Sequence, residues 1–157
     1  MPNEALAMGE LAPDFTLKDQ HDHPVTLSEF RGKQVVLSFH PLAWTGVCTT
    51  QMKDLEARHA DILGLGAVAL GISVDSVPCK KAWAASMGVS ETALLADFWP
   101  HGKVIQSYGI FHEEFGISRR VVFIVNEEGR ITWRKIYPTK QAPDIVEILE
   151  NLEEDSA

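Results

Sequence analysis

Two apolar runs constrain this chain more than any other feature. Gln34 to His40 (QVVLSFH), a β-branched and aromatic run, and the apolar Ala67 to Val74 (AVALGISV) each read as a buried β-strand bounded by breakers. Between them Met52, Leu55, His59, Ile62 and Leu63 recur at helical spacing, with Lys53, Asp54, Arg58 and Asp61 opposite and Glu56 at the edge. Gly64 and Gly66 close that helix. A strand, a helix and a strand joined this way form a parallel pair, which must be covered on both faces. The chain is thereby directed to an α/β fold.

The rest follows from this unit. Phe15-Thr16-Leu17 and Val25-Thr26-Leu27 flank the polar Asp19 to His23 and predict a short amino-terminal hairpin. Asp75 or Ser76 caps a second helix with Pro78 in its first turn, carrying Ala82, Trp83 and Met87 inward before Gly88. Val121 to Val125 and Ile131 to Ile136 predict an antiparallel hairpin through Asn126-Glu127-Glu128-Gly129. A last helix starts near Pro143 and buries Ile145, Ile148, Leu149 and Leu152. The core order β, α, β, α, β, β, α predicts a thioredoxin-like three-layer sandwich with a central mixed sheet and the added hairpin. With 157 residues, one domain spanning 1–157 is expected.

Charge and composition exclude several functions. Net charge is −8, from 14 basic and 22 acidic residues, which opposes an extended phosphate-backbone contact and so excludes nucleic acid as a partner. The uncharged stretch Gln34 to Met52 approaches spanning length. It is broken by His40-Pro41, Gly46 and five Ser, Thr or Gln residues beyond Gln34, so no membrane span is expected. Met1 to Pro13 holds Glu4 and Glu10 and no basic residue, unlike a signal peptide. These features predict a soluble, cytoplasmic chain. The acidic tail Glu153-Glu154-Asp155 is expected to stay solvated.

Cys48 and Cys79 are the only cysteines, too few for a disulfide framework or a four-cysteine zinc site. Cys48 falls at the start of the first long helix, just past the carboxyl end of the first buried strand, where open α/β sheets place ligand sites. Free N–H groups and the helix dipole there favour a thiolate. The plain alternative is a small buried residue in a turn.

The surrounding residues Pro41-Leu42-Ala43-Trp44-Thr45-Gly46-Val47-Cys48 make the pattern P-x-x-x-T-x-x-C directly after a strand. Here the chain resembles the peroxiredoxins, from about Gly9 to Leu152. Ser73-Val74-Asp75-Ser76 and Gly116-Ile117-Ser118-Arg119-Arg120 carry the resemblance further. Phe98-Trp99-Pro100-His101-Gly102 is most similar to the one-cysteine alkyl hydroperoxide reductase E branch, with the bacterioferritin comigratory branch next.

The resemblance implies a thiol-dependent peroxidase that reduces hydrogen peroxide and organic hydroperoxides through a Cys48 sulfenic acid. Lowering a cysteine pKa from ~8.5 to ~6 gains only ~30-fold in thiolate at neutral pH, so fixed donors must supply the rest. The resemblance assigns that work to the Thr45 hydroxyl, the Gly46 to Cys48 amides and Arg120, with Pro41 shielding the sulfur. It implies no cofactor and no metal. Reduction would come from thioredoxin, glutaredoxin or a small thiol. A homodimer is implied, with Trp44, Phe98, Trp99 and Phe111 as candidate contacts.

Cys79 is the candidate resolving cysteine, or a packed thiol on the inward stripe of its helix. Gln51 replaces the family's usual glutamate, so the ion pair to arginine is absent or becomes an amide hydrogen bond. His40 stands where an aromatic residue is usual; it tunes the thiolate or merely ends the strand. Trp44 takes a common phenylalanine's place in packing. His21 and His23 read as a solvated turn, His59 as half-buried, and His101 and His112 as lining an entrance or a subunit contact. Two other readings are a thiol-disulfide oxidoreductase, disfavoured because Thr45 replaces the first cysteine of C-x-x-C, and a thioredoxin-like redox sensor or interaction module.

Overall fold

The structure is a computed structural model that describes residues 4–156. The expectation for the first thirteen residues therefore falls partly outside the described residues, as does that for the Asp155 side chain in the acidic tail. Nine strands and five helices follow in chain order among the described residues. They are β1 (Thr16–Lys18), β2 (Pro24–Thr26), β3 (Gln34–Phe39), α1 (Gly46–Ala57), α2 (His59–Gly64), β4 (Ala67–Ser73), α3 (Val77–Met87) and β5 (Ala93–Ala96). After these come α4 (Lys103–Ser107), β6 (Phe111–His112), β7 (Ile117–Ser118), β8 (Val121–Val125), β9 (Ile131–Ile136) and α5 (Ile145–Ser156).

Seven strands form one mixed sheet in the order β2-β1-β5-β4-β3-β8-β9. β3 lies inside it, parallel to β4 with Gln34 opposite Ala67 and antiparallel to β8 with Val35 opposite Val125. All six of its residues are buried. The amino-terminal hairpin joins the sheet through an antiparallel contact of Lys18 with Ala96.

The crossovers β3-α1-α2-β4 and β4-α3-β5 step in the same direction along the sheet. Right-handed crossovers that step the same way place their helices on the same face. Accordingly Met52, Leu55, Ile62, Trp83 and Ala84 share a core with Ile148, Leu149 and Leu152 of α5 and with Val36, Val122 and Ile124 of the sheet. Residues of opposite parity, Val35, Leu37, Phe39, Val121 and Phe123, face Leu27, Ile105 and Tyr108 on the other side. Gly71 permits the close approach of α1, because a Cβ there would overlap Sδ of Met52.

Three local expectations change. The helical stripe breaks at Arg58 into α1 and α2, and Leu63 is half exposed. On α3 the inward stripe is Lys80, Trp83 and Ala84, while Ala82 is exposed. β5 adds a parallel strand that the apolar pattern of so short a segment does not announce.

Glu56 locks α1 to the approach of β5. Its carboxylate accepts the backbone N–H groups of Ser90, Glu91 and Thr92 and the hydroxyls of Ser90 and Thr92. Burial raises its pKa, but these hydrogen bonds prevail and hold it at about 2. A depressed carboxylate stabilises the fold above its unfolded pKa and loses that contribution as pH falls through the folded value. Glu56→Ala is therefore expected to cost about 2 kcal/mol at neutral pH. The deficit relative to the parent should shrink as pH falls from about 4.5 toward about 2, as urea denaturation at several pH values will test.

Candidate active site

The carboxyl end of β3 delivers the loop His40 to Thr45, and α1 begins at its end. Thr45 is the extended N-cap residue, with φ −78° and ψ 151°. The first helical bond runs from Thr49 N–H to the Thr45 carbonyl, 2.9 Å. The preceding amides of Gly46, Val47 and Cys48 consequently have no acceptor within the helix. Asp75, just past β4, anchors the loop by accepting the Ala43 N–H at 2.8 Å and the Ser73 hydroxyl. Trp44 adopts a positive φ of 74°, a conformation uncommon for a non-glycine residue.

Cys48 is fully buried in the first turn of α1. Arg120, at the foot of β8, reaches it across the sheet end, donating from Nη1 to Sγ at 3.2 Å. The same nitrogen donates to Gln51 Oε1 at 2.8 Å, and Nη2 donates to the Thr139 carbonyl at 2.8 Å. Gln51 is in turn oriented by donating to Ser38 Oγ at 2.7 Å and to the Phe39 carbonyl at 3.2 Å. An amide hydrogen bond thus stands where the family's ion pair would be. Among the described residues no carboxylate accepts from the guanidinium, so of these partners only the sulfur can carry negative charge. Arg120 is buried and Arg119 exposed.

Pro41 and Arg120 share the wall of a cavity of about 360 Å³, with Phe115, Ile117, Tyr137 and Pro138. His112 lines it too, and its Nδ1 is buried without a partner. Thr45 is exposed, and its hydroxyl donates to the Leu42 carbonyl at 2.9 Å instead of pointing free. Cys79 is half buried in the first turn of α3, with Sγ 3.7 Å from Asp75 Oδ1. Burial and then the Asp75 charge push this thiol above its ordinary pKa, against an opposing indole contact from Trp44.

Other residues considered from the sequence lie apart. Asp19 accepts the backbone N–H groups of both His21 and His23 in their turn. His59 opens α2, half buried, and His101 Nε2 contacts the Gly116 carbonyl at 2.6 Å. Trp44, Phe98 and Trp99 are 54%, 53% and 82% exposed, whereas Phe111 is half buried against Gly102.

Sequence reasoning missed Lys80. It is fully buried with His40, and Nζ lies 2.8 Å from His40 Nε2. The i, i+3, i+4 stripe Lys80, Trp83, Ala84 would have pointed inward had the lysine been allowed on it.

Comparison with known proteins follows from this geometry. Residues 8–134 match the AhpC/TSA family model. Alkyl hydroperoxide reductase E of Mycobacterium tuberculosis is 43% identical over 132 residues, 83% of this chain and 86% of that one. Peroxiredoxin 2 of Thermoplasma acidophilum is 36% identical over 147 residues, 90% of this chain and 72% of that one. The crystal structure of Enterococcus faecalis AhpC superposes with a TM-score of 0.86 at 27% identity, covering 94% of this chain and 91% of the other.

Replacing Gln51 by Leu removes an acceptor from Arg120 and a donor from Ser38 and Phe39. The three buried groups that lose this partner should lower stability by about 2–3 kcal/mol, read as a shift in the denaturant midpoint with unchanged m-value.

Proposed function

The chain belongs to the AhpC/TSA family and is a peroxiredoxin, a thiol-dependent peroxidase; from that premise we propose that Cys48 is the residue that meets the peroxide. The observation that carries this reading is the 3.2 Å hydrogen bond from buried Arg120 to Cys48 Sγ. A fixed guanidinium cannot be titrated away, and it favours the sulfur as an anion.

In the proposed reaction the Cys48 thiolate attacks one oxygen of hydrogen peroxide or an organic hydroperoxide in line with the O–O bond. A sulfur–oxygen bond forms, the O–O bond breaks, and the departing hydroxide or alkoxide takes a proton to leave as water or alcohol. Sulfur gives up two electrons and becomes a sulfenic acid. Arg120 and the Gly46 to Cys48 amides hold the charge as it moves between the oxygens. Thr45 exchanges the Leu42 carbonyl for a peroxide oxygen as acceptor of its proton. Pro41 keeps water from the sulfur on the cavity side.

We assign return of the two electrons to an external thiol: thioredoxin, glutaredoxin or a small thiol. One thiol attacks the sulfenic sulfur and expels water, and a second releases the mixed disulfide. Cys79 is a poor resolving group in this reading, since a thiol held above its ordinary pKa supplies little attacking thiolate. The protein acts as one domain over 1–157, in the cytoplasm, as a homodimer that covers the exposed Trp44, Phe98 and Trp99.

Cys48→Ser should abolish peroxide consumption with any thiol donor; retained activity would sink the reading. Arg120→Met should lower the rate of Cys48 oxidation about 100-fold, by stopped-flow fluorescence. Mass spectrometry after one equivalent of peroxide should find sulfenic acid at Cys48 in both the parent and Cys79→Ser. Loss of two hydrogens in the parent alone would instead assign resolution to Cys79. Sedimentation should give a dimer.

A further inference from the structure

His40 and Lys80 lie inside the core behind the Cys48 loop, and the reaction above uses neither. Both are fully buried. His40 Nδ1 is 3.4 Å from the Ser38 carbonyl, and Nε2 is 2.8 Å from Lys80 Nζ. With the ring proton directed at Ser38, Nε2 is an acceptor and the lysine donates to it. Lys80 takes part in none of the ion pairs among the described residues. Its ammonium instead lies 5.3 Å from the centre of the Trp83 ring, which the His40 ring also approaches at 5.3 Å. Burying an ammonium against neutral partners is costly, and a methionine would fill the same space without that cost.

The ionisable groups facing the pair come from every surrounding element. Asp75 after β4, Cys48 on α1 and Cys79 on α3 act on Lys80, and Arg120 before β8 acts on His40. Burial, with Lys80 and Arg120 adding to it, keeps His40 far below its ordinary pKa and hence neutral. Burial also draws Lys80 down to about 7, against Asp75, Cys48 and Cys79, which raise it. Cys79 is shifted the other way and stays a thiol in that range.

We propose that Lys80, held by His40, is a positioning residue for peroxide reduction: its ammonium, set over the Trp83 ring in the core that also holds Cys48, is a second cation that sustains negative charge on the sulfur. The proposal rests on Cys48 being the reacting thiol. Below pH about 7 Lys80 carries its charge, and above it that charge is lost. The rate of Cys48 oxidation is therefore expected to fall across the pH range in which Lys80 deprotonates, to a lower level supported by Arg120 alone. Loss of a buried cation at this range is expected to cost about tenfold.

The test is single-turnover oxidation of the full chain by hydrogen peroxide, followed by intrinsic fluorescence from about pH 5 to about pH 9. The parent is expected to show the descending limb. Lys80→Met is expected to lack it and to run at the parent's lower level throughout the limb's range. A parent profile that lacks the descending limb, or a descending limb that survives in Lys80→Met, overturns the proposal. If Lys80→Met does not fold, carbon NMR of the lysine Cε in the parent decides. One resonance titrating with the midpoint of the limb supports the proposal, and lysines that all stay protonated across it overturn it. Oxidation at Cys48 with a flat profile defeats the role of Lys80 alone, whereas absence of oxidation at Cys48 defeats the reading beneath it.

Discussion

A buried guanidinium whose other partners are neutral favours an anion at the partner that can become one. Arg120 donates to an amide oxygen, a main-chain carbonyl and the Cys48 sulfur, and only the last can acquire negative charge. One side chain thus ties the start of β8 to the helix that carries Cys48. Gln51 fits this arrangement: it orients the guanidinium without neutralising it, and Ser38 and the Phe39 carbonyl fix Gln51 in turn.

The sheet makes this contact possible. β3 is paired on both edges and buried along its length, so its carboxyl end is a fixed point. The chain leaves it through His40-Pro41 to start α1, while β8 runs antiparallel beside it and begins with Arg120 immediately before Val121. Residues far apart in sequence meet because one strand ends where its neighbour begins. Asp75 extends the same logic to the other neighbour, tying the loop at Ala43 to the end of β4.

A second layer lies beneath. Lys80 and His40 occupy space that apolar side chains could fill, and their hydrogen bond turns an unfavourable burial into a polar pair packed on Trp83, in the core that also holds Cys48. The two cations differ in kind. Arg120 touches Cys48 and keeps its charge at any working pH, whereas Lys80 acts through space and its charge depends on pH. Glu56, on the far turn of α1, holds the helix to the β5 approach through three backbone amides and keeps the cysteine-bearing end in register with the sheet.

The sequence by itself determined the parallel strand-helix-strand unit, the two hairpins, the position of Cys48 at a helix start and the inward side of Arg120 against the outward side of Arg119. Those are matters of period, breakers and strand alternation, which are local. It did not disclose β5, whose four residues carry too little pattern, or the break at Arg58, where a continuous stripe hid the interruption between α1 and α2. Nor did it place Lys80, because a lysine reads as surface until the packing of α3 on the sheet turns it inward with Trp83, beside His40. Tertiary structure alone decided that Gln51 bonds Arg120 through an amide, that the Thr45 hydroxyl is turned to Leu42, and that Cys79 faces Asp75. The first depends on a distance between elements that no spacing along the chain encodes, and the other two on side-chain rotamers in a loop and a helix start that residue type leaves open.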